Sequence, residues 1–195
     1  MVPGAAPPRR LILVYFIHRL ALGKFMPKGL KQTSSTVAIG FSVTESAANT
    51  YTQAPTDLNL SPLDREVFVV LAINLDGSSP DGIAGLNTAV NGQLTTTSQT
   101  AQVNISDANC LAKRHERIRS AGYVDSGVGF SEAALETPPA TLEYIGIIAT
   151  NDFFVAVEGT NNLSAKTMSG KLYGYRAVAT ADIYAALVQS EVLSA

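Results

Sequence analysis

Glu66-Val67-Phe68-Val69-Val70-Leu71-Ala72-Ile73-Asn74-Leu75 is the stretch on which the fold turns. Val67, Phe68, Val69, Val70, Leu71 and Ile73 make it apolar on both faces, and its β-branched and aromatic residues suit a pleated surface. A strand of that kind lies in the interior of a sheet. Asn59-Leu60-Ser61-Pro62-Leu63 introduces it, and Asp76-Gly77-Ser78-Ser79-Pro80-Asp81-Gly82 follows as a loop.

Upstream, Val37, Ile39, Phe41 and Val43 alternate with Ala38, Gly40 and Ser42, the period of a half-buried strand, and the polar residues 44–59 read as a long connection. Downstream, the Thr-rich segments Ala89–Thr96 and Thr100–Ile105 predict a hairpin. Residues 108–121 predict a helix, capped by Ser106 or Asp107, with Leu111 and Ile118 at heptad distance and Gly122 as the stop. Leu142–Ala149 and Phe153–Glu158 read as strands joined by the turn Thr150-Asn151-Asp152, and Lys171–Ala179 as another strand. Ile183, Ala186, Leu187 and Ser190 follow helical spacing over 181–193, with Thr180 as cap. Strands recurring without a strand-helix-strand rhythm imply an all-β, mainly antiparallel two-sheet β-sandwich. A jelly roll is favoured, with one or two short helices and an N-terminal arm.

The chain has 195 residues, 46% hydrophobic and only 15% charged, against roughly 25% charged in average soluble domains. Its formal charge of −2 hides an asymmetry. Residues 1–32 carry six cations, Arg9, Arg10, Arg19, Lys24, Lys28 and Lys31, and no anion, while residues 33–195 carry a formal −8. A basic arm over 1–32 therefore precedes a sandwich domain over 33–195, and such an arm is attracted to nucleic acid phosphate or anionic lipid. The apolar run Leu11–Ile17 is too short to span a bilayer, which takes about 20 residues. It fits a secretory signal with a small-x-small site at Ala21-Leu22-Gly23, an amphipathic arm, or an upstream extension with Met26 as the start.

Catalytic and metal chemistry is thinly represented. Cys110 and His115 are the one thiol-imidazole pair, and on a helix they would point apart. Two His and one Cys give no transition-metal spacing, and Asp76 with Asp81 lacks the EF-hand order of Ca²⁺ ligands. The acid pairs Glu132/Glu136 and Asp64/Glu66 have no glycan-stacking Trp to accompany them, since the chain has none. Gly82-Ile83-Ala84-Gly85, Gly127-Val128-Gly129-Phe130 and Asp125-Ser126-Gly127 fall short of phosphate-loop and nucleophile-elbow patterns. Asn59, Asn104 and Asn162 head N-glycosylation triplets. The expectation is a protein with no enzymatic activity, no cofactor and no metal.

The cations at 9–31, the strand-rich body from Thr36 to Ala179, and the ending Tyr173-Gly174-Tyr175-Arg176-Ala177-Val178 followed by Ile183-Tyr184-Ala185-Ala186-Leu187-Val188 resemble the single jelly-roll coat proteins of small icosahedral viruses and phages. The resemblance implies self-assembly into a shell, a place in a virion, and a partner that is another copy of the chain. The arm, more apolar than most RNA-binding arms, leaves genome, membrane and neighbouring subunit as its contacts. The alternative is a secreted or surface β-sandwich that binds glycan or protein.

Overall fold

A computed structural model describes residues 27–120, 122, 130–134 (backbone only) and 142–193. Among the described residues, ten strands and one helix follow in chain order: β1 (Leu30–Gln32), β2 (Val37–Thr44), β3 (Thr52–Asp57), β4 (Glu66–Gly77), β5 (Thr88–Thr95), β6 (Cys110–Arg119), β7 (Phe130–Ala134), β8 (Gly146–Ile148), β9 (Asp152–Thr160), β10 (Thr167–Ala179) and α1 (Ala181–Leu193). The first sheet runs β2-β10-β4-β8, with β1 beside β10 as well, and the second runs β3-β9-β5-β6-β7.

The pairing is nested and antiparallel throughout. β2 pairs with β10 (Val43↔Met168), β3 with β9 (Gln53↔Ala156), β4 with β8 (Val69↔Ile147) and β5 with β6 (Gln93↔Lys113). First with last, second with next to last, and so inward, divided over two sheets, is the pairing of a jelly roll. The expected all-β sandwich and its favoured topology are both present.

The double apolarity of β4 has two causes, one on each face. Phe68 and Val70 point into the sandwich with Leu94, Phe153, Val155, Val157, Met168 and Leu172. Val67 and Val69 point outward, with Tyr175 and Ala177 of β10, beneath Ile183, Tyr184, Leu187 and Val188 of α1. The C-terminal helix thus caps half of the first sheet. Inside, Phe41 and Phe153 meet edge to face with ring centroids 5.7 Å apart. Gly174, at the irregularity in the β10–β4 register, lies so close to β4 that a Cβ would sit 2.2 Å from the Val69 carbonyl oxygen. Gly29 has φ +82, its carbonyl accepts from Thr180 N–H, and the side chain of Ile183 fills the place of a Cβ.

Four expectations are corrected. Residues 110–119 form strand β6, not a helix. Its inward positions are Ala112, Arg114, Glu116 and Ile118, opposite Leu94, Gly92, Val90 and Thr88, so charge sits where a strand of a sandwich ordinarily places apolar side chains and the alternation is broken. Arg114 crosses the interior to donate to the Leu75 carbonyl (2.7 Å), with Asp76 at 3.5 Å and Glu116 at 3.7 Å. Second, β5 pairs with β6 and β9, and 100–105 is a loop laid on the second sheet. Third, β8 and β9 are in different sheets, so 149–151 crosses between layers and does not close a hairpin. Fourth, the polar connection 44–59 contains β3, an edge strand whose Pro55 fits the lack of a neighbour on one side.

Candidate functional site

Of the six arm cations, Arg9, Arg10, Arg19 and Lys24 lie outside the described residues. Lys28 is exposed in the turn before β1, and Lys31 is exposed within β1, opposite Val178. The last residues assigned to the arm are therefore strand, fastened to the foot of β10 by Leu30, Lys31 and Gln32. The two described cations stand beside the start of α1, where the chain enters the sandwich.

A polar cluster ties the loops at one end of the sandwich. The buried Glu45 carboxylate accepts from the N–H groups of Thr50 (3.0 Å) and Gly159 (2.6 Å) through Oε1 and of Lys166 (2.7 Å) through Oε2. Asn162, also buried, exchanges bonds with Asn49, donates to the Ala89 carbonyl and accepts from Asp81 N–H. A glycan on Asn162 would have to break this junction. Asp81 receives the Lys166 ammonium (2.6 Å) and the Leu163 N–H (2.8 Å), and the Lys166 hydrogen bond foremost holds its carboxyl below the usual range. Asp76 faces Arg114. The two acids weighed as Ca²⁺ ligands are thus each engaged by a cation, and no group of three or more His, Cys, Asp or Glu is placed to hold a metal among the described residues.

The outer face of the second sheet carries Lys113, His115, Arg117 and Arg119 in a row along β6. Cys110 and His115 are opposite Thr95 and Asn91, four positions apart on β5 and so about 13 Å apart along the strand. That separation, and not a helical angle, keeps thiol and imidazole from acting together. Half of this face is closed by the loop after β5. Gln93, with no exposed surface, accepts from Val103 N–H (2.8 Å) and donates to the Ala101 carbonyl (3.3 Å) and to Tyr51 Oη (3.2 Å), while Lys113 Nζ donates to the Val103 carbonyl. Burial pushes the Tyr51 phenol up. Beyond the loop a recess of about 280 Å³ lies between Asn87, Ala89, Arg117, Arg119, Thr160 and Asn161. Asp64 and Glu66 serve the turn before β4: Asp64 accepts from Ser61 Oγ, and Glu66 accepts from Ser61 N–H and pairs with Arg176 at 3.2 Å. Glu132 and Glu136 lie outside the described side chains.

The first sheet presents a different surface. Where α1 does not cover it, the outer side carries the exposed Ala38, Gly40, Ser42 and Thr44 of β2, Ala72, Asn74 and Asp76 of β4, and Lys171 of β10, with the half-buried Ser169 and Tyr173 of β10 among them. At the other end of α1, Glu191 is buried, and its two carboxylate oxygens accept from Ala149 N–H (3.0 Å) and Thr150 N–H (2.9 Å). Burial foremost raises the Glu191 carboxyl above its ordinary range, against these bonds. The sequence reading passed over this residue, although Glu191 stands four after Leu187 and three after Val188, on the apolar stripe of the helix.

No family model and no curated protein matches the chain. A solved chain from Desmodium yellow mottle tymovirus is similar over 92% of this chain and 98% of that one, at 14% identity and a TM-score of 0.27. A likeness of that size is too slight to argue from, and the jelly-roll assignment rests on the strand pairing above. No described helix is long and apolar enough to cross a membrane.

Proposed function

We propose that this chain is a self-assembling coat subunit whose jelly-roll body tiles the shell of a virion. Its N-terminal cations, Arg9, Arg10, Arg19, Lys24, Lys28 and Lys31, then tether nucleic acid or anionic membrane. Fold alone does not assign a function. The observation that carries the reading is the uncovered half of the first sheet, a broad pleated face of mostly small, uncharged side chains around the half-buried Tyr173, on which Lys171 and Asp76 are the charges. Every charge buried in a repeated contact must be desolvated, and charged residues are depleted in interface cores for that reason. A face built of Ala, Gly, Ser and Asn avoids most of that cost.

The charge layout supports the same reading, since a segment of six cations precedes a body of formal charge −8. Sedimentation and electron microscopy of the full chain test it. Discrete closed particles are expected, and a monomer that persists across salt and concentration would overturn the proposal in favour of a surface binding module.

A further inference from the structure

We propose that the free edge of β2 is an interface with a second copy of this chain, the two β2 strands pairing antiparallel across a two-fold axis so that the first sheet continues from one copy into the other. The proposal rests on the self-association reading and names the surface that performs it. β2 is bonded to β10 without a register break from Val37↔Gly174 to Thr44↔Thr167, and among the described residues no strand pairs with its other edge. Eight residues of unpaired edge offer a row of N–H and C=O groups, a template for another chain.

Proteins ordinarily blunt such edges with proline, charge, bulges or brevity. Two other edges of this sandwich are treated that way: β3 carries Pro55 and Asp57, and β8 is three residues long. β2, Val-Ala-Ile-Gly-Phe-Ser-Val-Thr, has none of these devices.

Its composition also selects the occupant. Antiparallel pairing of a strand with its own copy sets the central residue opposite itself and every other residue opposite the one equally far beyond the axis, so a charge near the centre comes close to its own copy and is repelled. β2 has no charged residue. On the inner side, Ile39 and Phe41 are only half-buried and gain cover from the same residues of the second copy. On the outer side, Ala38, Gly40 and Ser42 leave the joined surface smooth. A two-fold contact uses the same patch twice and closes after one addition, so this edge makes a dimer and not a fibre.

The test is analytical ultracentrifugation of the full chain beside the variant A38K/G40K. Both positions are exposed, and a Cβ at Gly40 meets no atom within 4 Å, so the fold is retained, as thermal melting would verify. The lysines should weaken dimerisation by about tenfold or more at low salt. Mixing A38K/G40K with A38E/G40E should restore association, because opposite charges then face across the seam. Unchanged association of the lysine variant, or a mixture no better than either variant alone, overturns the proposal. Shells that form undiminished from the lysine variant overturn the seam and leave the coat reading standing. Lysine-sensitive dimers that never grow further support the seam and overturn the coat reading.

Discussion

Replacing Glu191 with alanine isolates the attachment of α1. The carboxylate is buried at 7% exposure and takes both Ala149 N–H and Thr150 N–H, fastening the end of the helix to the end of β8. Glu191→Ala leaves two donors without an acceptor. A buried unpaired donor costs about 1–3 kcal/mol. Ala149 is buried and bears that cost fully, whereas Thr150 is half-exposed and water can reach it, so the expected loss is about 2 kcal/mol. The pH dependence separates this account from simple loss of packing. Burial raises the Glu191 carboxyl, so the folded state holds its proton more tightly than the unfolded chain does. The group's contribution is therefore full below the unfolded value of about 4.3 and declines as pH rises through the folded value. Urea unfolding of wild type and Glu191→Ala, on preparations held monomeric by dilution, should give a stability difference that shrinks from pH 4 to pH 7. A difference that widens over that range would refute the reasoning, since it would mean that the two N–H bonds outweigh burial and depress the carboxyl.

Gly174→Ala should destabilise the fold by about 2–4 kcal/mol in denaturant unfolding, because the new Cβ would lie 2.2 Å from the Val69 carbonyl oxygen and 2.4 Å from the Phe68 ring, with backbone unable to yield cheaply. Asp81→Asn should lower the melting temperature near neutral pH by leaving the buried Lys166 ammonium without its carboxylate. Because Lys166 depresses the Asp81 carboxyl, the wild-type advantage is present above about pH 4 and is lost as acid protonates the group, so the two melting curves should converge at low pH. Changing Arg9, Arg10, Arg19, Lys24, Lys28 and Lys31 together to glutamine should reduce retention on heparin or anionic vesicles while leaving the circular dichroism of the body unchanged. Equal retention at low salt would remove these residues from any polyanion contact.

What could be read from the sequence follows from how each strand is covered. β4 was legible because both its faces meet apolar layers, the sandwich interior on one side and α1 on the other. β2 was legible because one face meets the interior and the other meets solvent, the condition under which alternation appears. β6 was hidden because its inward face at the open end of the sandwich holds Arg114 and Glu116, with Arg114 paired both to Glu116 and to the exposed Asp76. Charges satisfied inside a fold carry no periodic apolar signal, and the heptad pair Leu111 and Ile118 then suggests a helix. β3 was hidden for the opposite reason, as a short edge strand, Thr-Gln-Ala-Pro-Thr-Asp, with little to bury.

The same reasoning separates the arm from the seam. A run of cations is visible in composition, but its destination depends on a partner, and no residue in 1–32 encodes which polyanion is met. The β2 edge is the converse. Its lack of charge and proline is plain in the sequence, yet has no meaning until the strand order shows that β2 borders the sheet, since an interior strand with those residues would be ordinary. Position in the sheet turns a bland strand into an adhesive one, and sequence reports position only through burial on two faces. In β2 the inward apolar residues identify one buried face, while the open hydrogen-bonding edge, perpendicular to both faces, leaves no trace in side-chain periodicity.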